Sequence, residues 1–538
     1  MTGRISGHAH DLQTGCLRGY SRFQVCLSVQ KYLANLLDLW PLVVKSLRFP
    51  LYRFPCTDST VPMNTRSLTA FISCFALTAI SSASDYSVVV SRQTQQQPGW
   101  GAVIDALTEK HTTAVVLVWE KDVTEVLPVL QKQHPRYTCF VTRPSEASRD
   151  FVAAVHLLTR RYDADPYTDT LWGILTGYDA ENALVIAKTD EPLIVRKVAS
   201  GTELALEMCE QGVWYDELVQ NKKVSKDVGG APTLEQGPSD TTRALADTLT
   251  KGSADLFVTS GHATERNWQI GFRYRNGTFR SKQGQMFGVP LQGDRFEIAS
   301  PDPKVYMAIG NCLMGHIDGP DAMALAWMNS VGVRQMIGYT VLTWYGYGGW
   351  GVLDYYTEQP GRYTLAEAFH ANHHALIHRL DTCFDGITAF QLEPGSQSLP
   401  SVVPNASGKR IGLTASDSRG LLWDRDTVAF YGDPAWEARL PSQPKAYGQR
   451  LEIQGDTYTL TITPQRGSKS FEPVNTNGAQ RGWRPVVQLL DHRISDVSML
   501  EGDDLEAIVS DDFILVPNPR VVDVDQEYVV KFTASRVD

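Results

Sequence analysis

Two short apolar runs constrain this chain more than anything else in it. The first is Ala254-Asp255-Leu256-Phe257-Val258-Thr259-Ser260-Gly261-His262-Ala263, and the second is Lys304-Val305-Tyr306-Met307-Ala308-Ile309-Gly310-Asn311-Cys312. Each is short enough to be a buried parallel strand. Each stops at a glycine that is followed within two residues by a reactive side chain. In an open α/β sheet, ligands sit in the crevice at the carboxyl ends of neighbouring strands. His262 and Cys312 can therefore face each other across fifty residues of sequence, which is the pairing that thiol catalysis needs. Taken singly, a cysteine reads as a small buried hydrophobe and a histidine as a structural residue. Matching strand ends, in the order His then Cys, turn the two into a candidate nucleophile and base.

The surroundings alternate strand and helix. Strands are expected at 86–91, 114–119 and 137–141, with helices at 100–110, 123–133 and 148–162. That order argues a parallel sheet with helices on both faces. Asp163-Ala164-Asp165-Pro166 reads as a turn and a joint. A second α/β unit follows, with strands at 171–176 and 192–198 and helices at 179–189 and 203–209. The helix expected at 241–250 feeds the His262 strand. The polar stretch 222–240 reads as an exposed loop, and 271–297 as cover over the cleft rim.

A chain of 538 residues can hold several domains and a sizeable core. Its 43% apolar and 20% charged residues are those of an ordinary globular protein. A formal charge of −10 without a basic stripe excludes nucleic acid as the main partner. Residues 1–62 show no sustained period and read as a leader, from a wrongly assigned start or a disordered extension. Residues 63–84 run from a short basic start through an apolar segment at 68–80 to Ser81-Ser82-Ala83-Ser84. This is the layout of a secretory signal peptide, too short in its apolar part to span a bilayer. The expectation is a mature protein from Asp85, secreted, periplasmic or at the cell surface, with no integral membrane segment. An N-terminal membrane anchor within a genuine long leader is the other reading. The mature chain keeps Cys139, Cys209, Cys312 and Cys383, which leaves room for at most one disulfide beside a catalytic thiol.

Tyr339, Trp344, Tyr345, Tyr347 and Trp350 are interleaved with glycines. They read either as a wall against which a peptide lies or as a turn packed on a neighbouring helix. His370, His374 and His378 recur every four residues beside His373. The residue after His370 is Ala371 rather than Glu, and positions i and i+8 stand roughly 12 Å apart. A solvated helix face is expected there rather than a metal site. His316 reads as part of the turn behind Cys312. Short alternating runs over 441–538, with Gly455-Asp456 as one turn, suggest an immunoglobulin-like β-sandwich.

The order "apolar strand, Gly-His, spacer, apolar strand, Cys" resembles the cysteine peptidases of the caspase–legumain–separase–gingipain group. Gly261-His262-Ala263-Thr264-Glu265-Arg266-Asn267-Trp268 is similar to the gingipain branch, which has Gly-His-Gly with an acid three residues and a Trp six residues after the His. Met323 to Met328 looks like the helix after the nucleophile, Gln335 to Val341 like the next core strand, and Tyr431-Gly432-Asp433-Pro434 like the end of the catalytic domain. The resemblance spans roughly residues 130–440.

It implies a caspase/gingipain-like α/β fold, with an N-terminal subdomain at 85–165, a catalytic domain at 166–440 and the sandwich at 441–538. It also implies an exported bacterial cysteine endopeptidase acting on protein or peptide substrates. His262 would be base and then acid, Cys312 the nucleophile, and the N–H groups of Ala263 and Cys312 the oxyanion donors. Glu265, Trp268, Asn311, Tyr339 and Trp344 would contact substrate. No cofactor is required, and structural calcium is left open by the resemblance.

Two positions depart from the pattern. Ala263 stands where the family has Gly and tolerates positive φ less well. Asn311 stands where a small residue is usual. The family's basic-residue specificity needs an acid in the pocket for the residue before the cleaved bond (P1). The matching stretch, placed at 126–145, has none, so uncharged P1 residues against Trp344 are expected. The rival readings are a degenerate member of the fold that binds peptides or proteins without cleaving them, and a non-enzymatic surface module. The third member of a triad is not legible.

Overall fold

The computed structural model describes residues 85–392, 395–520, 522–523 and 526–537. The leader and signal-peptide expectations over 1–62 and 63–84 lie outside the described residues. Valine-rich and leucine-rich runs bounded by polar turns form β1 (Tyr86–Ser91), β2 (Val115–Trp119), β3 (Tyr137–Val141) and β4 (Leu171–Leu175). They pair in parallel in the order β2-β1-β3-β4. The intervening helices, among them Trp100–Lys110, Leu127–Gln133 and Arg149–Leu158, fall where the apolar periodicity puts them.

Next come β5 (Leu193–Ile194), β6 (Lys197–Ser200), β7 (Gln211–Tyr215), β8 (Lys222–Lys226), β9 (Thr233–Gln236) and β10 (Leu256–Thr259). Between β10 and the following core strand lie β11 (Ala263–Thr264), β12 (Asn267–Gln269), β13 (Thr278–Lys282), β14 (Gln285–Val289) and β15 (Phe296–Ile298). Then come β16 (Lys304–Ala308), β17 (Val333–Tyr339), β18 (Val428–Tyr431) and β19 (Ala438–Arg439).

Twelve of these strands make one large, mostly parallel sheet, ordered β2-β1-β3-β4-β18-β17-β16-β10-β6-β7-β8-β9. β18 is parallel to β4 but antiparallel to β17. The sheet is therefore two parallel halves running in opposite directions, and their carboxyl ends emerge at opposite edges.

The loop expected over 222–240 is in fact the hairpin β8–β9 at the sheet's edge. Val224 and Leu234 pair on one face and a Lys223–Glu235 ion pair at 2.7 Å closes the other, so a single apolar residue per strand was too little to announce it. The cover expected over 271–297 is built mainly as strands, part of the antiparallel sheet β11–β15. Phe279 and Met286 point into the core while Arg280 faces out.

The helix Leu365–Cys383 is not solvated. His370, His373 and His374 are buried on it. Between Glu367 and Arg379 it carries no charged residue, so it is nearly apolar all round and lies in the core. His370 bonds Ala366 O through Nδ1 and accepts from Trp172 N through Nε2. His373 spends its two nitrogens on Thr168 and Arg425 O.

The C-terminal strands are β20 (Tyr447–Gln454), β21 (Thr457–Pro464), β22 (Val486–Leu489), β23 (Arg493–Glu501), β24 (Ile508–Val509), β25 (Phe513–Val516) and β26 (Tyr528–Val537). They form two antiparallel sheets, β20-β21-β26-β23 and β22-β25-β24. The second sheet is buried on both faces. Val486, Ile514 and Val516 join a small core with Leu460, Ile462, Val530 and Phe532, while Val487, Phe513 and Leu515 join the main core. Cys139, Cys209 and Cys383 are free, buried thiols. Among the described residues, no helix is long and apolar enough to cross a membrane.

Candidate active site at two adjacent strand ends

β10 and β16 lie side by side with Thr259 opposite Ala308. Ile309 N donates to Thr259 O at 3.1 Å, and past that bond both chains leave the sheet at the same edge. His262 and Cys312 stand three and four residues beyond these partners.

Asn311 ties the two exits together. It is fully buried; its Oδ1 accepts from Thr259 Oγ1 at 2.6 Å and its Nδ2 donates to Gly261 O at 3.0 Å. The residue before the thiol thus grips the residue before the imidazole. An alanine there would make neither bond, which gives a structural reason for this departure from the gingipain pattern.

Gly261 has φ +90°, a conformation that glycine alone takes without strain. Ala263 does not share it and lies in β11 opposite Trp268. The left-handed residue precedes the histidine instead of following it, so Ala263 meets no steric objection. Gln269 N donates to His262 O at 2.9 Å, which makes 262/269 the hydrogen-bonded pair of that ladder. The Ala263 N–H is consequently directed away from β12, as an oxyanion donor must be.

Cys312 is half-buried, and its Sγ accepts from Thr343 N at 3.3 Å. The same Sγ lies 3.8 Å from Thr343 O, to which the thiol donates. Leu313, next in the chain, is held at φ +59° with its N–H on Val341 O. His262 is exposed, and its ring stacks on Phe272 with centroids 4.6 Å apart.

Beneath this turn lies an acid that the sequence did not reveal. Glu217 follows β7, on the same edge of the same half-sheet, and only 7% of it is exposed. Its backbone O accepts from Phe272 N at 2.6 Å, and its Oε1 accepts from Thr202 Oγ1 at 2.9 Å. Its Oε2 faces Ser260 and the Cα of Gly261, where a Cβ would come within 3.2 Å, and makes no hydrogen bond of full geometry. Burial pushes the carboxyl up to about 7, partly offset by the hydroxyls of Thr202 and Ser260.

The other anticipated residues separate into two groups. Trp344 is about half exposed and Leu342 more so, on either side of Thr343 and hence beside the sulfur. Glu265 pairs with Arg266, which also holds Asp318 at 2.7 Å. Trp268 and Tyr339 offer no surface to a substrate, because both are fully buried. Trp268 Nε1 donates to Ser260 O at 2.8 Å, and Tyr339 OH donates to Asp424 at 3.2 Å. The glycine-rich aromatic stretch divides likewise, since Tyr347–Tyr356 is a buried helix whose Gly349 lies against Ile309 O. The stretch 126–145 leads into and past β3, in the other half-sheet, whose carboxyl ends emerge away from Cys312. Three strands, β4, β18 and β17, also stand between β3 and β16, so the stretch behind the expectation against basic P1 residues does not adjoin Cys312 along the sheet.

For a cation, the described residues offer one cluster of three acids, Asp163, Asp165 and Asp511. Its all-oxygen donors are of the kind calcium takes. Asp165 already accepts from Tyr167 N and Ser510 Oγ, and Arg493 holds Asp511 at 2.6 Å.

Fold and site together define a class: a mixed α/β protein with a large, mostly parallel sheet and a thiol and an imidazole at neighbouring strand ends. No family model matches the chain, and no curated protein matches it. Two solved structures align with it at low similarity. One is a complex of the pro- and mature domains of Porphyromonas gingivalis RgpB, with 11% identity, TM-score 0.39, and 84% of this chain and 99% of that chain covered. The other is described as a protease, with 10% identity, TM-score 0.37, and 85% and 98% covered.

Proposed function

We propose that the chain is a cysteine endopeptidase in which His262 deprotonates Cys312 and the thiolate attacks the scissile carbonyl. The N–H groups of Ala263 and Cys312 take the oxyanion, and His262 returns the proton to the leaving amine. The observation that carries this reading is the pair of Asn311 hydrogen bonds, which lock the two strand exits together. The lock fixes the two strand exits against each other, which is what a base and a nucleophile acting together require.

The substrate reading now favours a basic P1 residue. A buried carboxylate with one oxygen unbonded is costly, and a guanidinium supplies both the charge and the paired donors that relieve it. Glu217 is such a carboxylate, and beside its Oε2 stand Gly261, which has no side chain, the edge of the Phe272 ring and the Ser260 hydroxyl. Leu342 and Trp344 provide apolar surface for neighbouring substrate residues.

The test is hydrolysis of matched peptides differing only at P1. Cys312→Ala is expected to abolish turnover and Cys139→Ala, buried inside β3, to leave it nearly intact. Arg at P1 is expected to exceed Leu in kcat/KM, and Glu217→Gln to reduce that preference by roughly 100-fold, about 3 kcal/mol. Equal activity in the wild type and Cys312→Ala would refute the peptidase reading. A Leu preference untouched by Glu217→Gln would refute the role of Glu217.

A further inference from the structure

The segment joining β21 to β22 leaves the C-terminal sheets and crosses to the catalytic half of the molecule. Arg481 and Arg484 clamp it to Asp354 of the Tyr347–Tyr356 helix at 2.7 and 2.8 Å. Gly478 packs against the ring of Trp350, whose Nε1 lies below Gly310. At its tip Asn477 Nδ2 donates to Thr202 Oγ1 at 3.1 Å and to Glu203 O at 3.3 Å. The carbonyl can only accept, so the amide orientation is fixed by its partners.

A hydroxyl has one proton. Because the Thr202 oxygen accepts from Asn477, its proton is free to go to Glu217 Oε1 at 2.9 Å. The direction of every bond in this chain is thereby set, from amide to hydroxyl to carboxylate. Resting on the basic-P1 reading, we propose that Asn477 is a positioning residue for specificity: through Thr202 it holds Glu217 as an acceptor, with Oε2 turned to the incoming cation. The C-terminal sheets thus contribute to substrate selection without touching the substrate.

Other charges surround Glu217. Asp216 is its neighbour and is paired with Lys222 at 2.8 Å, which also meets Glu203 at 3.2 Å. Tyr274 OH donates to Asp216 O, Arg273 N donates to Glu217 O, and His262 follows Gly261 above it. None of these is altered by substituting Asn477 or Thr202. The clamp on Asp354 keeps the segment seated when the amide is removed.

Benzamidine, an amidinium that cannot be cleaved, separates this proposal from the question of catalysis. Its dissociation constant is measured by calorimetry from pH 5 to 9 on the full chain. In the wild type, binding is expected to tighten as pH rises and Glu217 ionises. Asn477→Ala should weaken it roughly threefold to tenfold at neutral pH and move the profile to higher pH. Thr202→Val should weaken it at least as much, Thr202→Ser should restore it, and the double variant should match Thr202→Val alone.

A wild-type profile in Asn477→Ala would overturn the proposal. So would an equal further loss when Asn477→Ala is added to Thr202→Val. No benzamidine binding in the wild type would overturn it together with the role of Glu217. The expected binding pattern without peptide cleavage would refute the peptidase reading and leave the relay standing.

Discussion

At the scale of single residues, Asn311 carries an unusual share of the site. Its amide spans the gap between the two strand exits, and both of its bonds are buried. Asn311→Ala is expected to lower kcat roughly 10- to 100-fold with little change in KM, since binding surface is kept while the reacting groups drift. It should also cost about 1–3 kcal/mol of stability for the polar groups left without partners. Steady-state kinetics and urea unfolding measure the two, and an unchanged kcat would show that the lock is dispensable. His262 and Cys312 could be read from sequence because each stands at the end of an apolar run. Glu217 could not, because the apolar run of β7 is only Val213-Trp214-Tyr215 and nothing in a string of residues says which strand ends share an edge. Asn477 was still further out of reach, lying 275 residues from the hydroxyl it contacts.

At the scale of elements, the helix Leu365–Cys383 shows what periodicity misses. Histidines four residues apart looked like a wet face, but alanine and leucine fill the rest of the circumference and draw the helix inside. Burial, with neighbouring charge, pushes His374 and His156 down to about 3 and His370 and His378 down to about 4. These groups are neutral when folded, whereas an unfolded histidine takes a proton below about pH 6.5. Their effect is therefore to withdraw stability as pH falls from about 6.5 toward 4, each at about 1 kcal/mol by pH 5.5. Raised carboxyls such as Asp424, pushed up to about 7 by burial, act in the opposite sense, so a single residue must be isolated. His374 is suited to this, being stacked on Phe513 at 4.3 Å with its Nδ1 unbonded. In His374→Leu, the difference in unfolding free energy between pH 7.5 and 5.5 should shift by about 1 kcal/mol in favour of pH 5.5. An identical pH dependence in wild type and variant would contradict this. The strands of the large sheet, by contrast, were mostly legible, because a strand buried on both faces needs an unbroken apolar run. The β8–β9 hairpin, half in water, needs none.

At the scale of the whole molecule, the C-terminal sheets are fastened to the half that carries His262 and Cys312 rather than hung from it. The β22-β25-β24 sheet lends one face to each core, and Asp354 holds Arg481, Arg484 and Gly482 N in a buried cluster. Asp354→Ala would leave the buried Arg484 without a counter-charge and Arg481 with Glu358 alone, and a loss of roughly 3–5 kcal/mol is expected in urea unfolding. A loss below about 1 kcal/mol would mean that the clamp is ornamental. The order of the large sheet has a different kind of consequence. Its two halves meet only through β18, which comes from residues 428–431, long after every other strand of that sheet has been made. Until a ribosome has passed that point, β4 and β17 are bare edges on separate fragments, each able to recruit a foreign strand. The pairing of β18 with β4 joins residues more than 250 apart in sequence, and contacts of such long range set a slow closure. Sealing the two halves through β18 is thus the step that completes the large sheet.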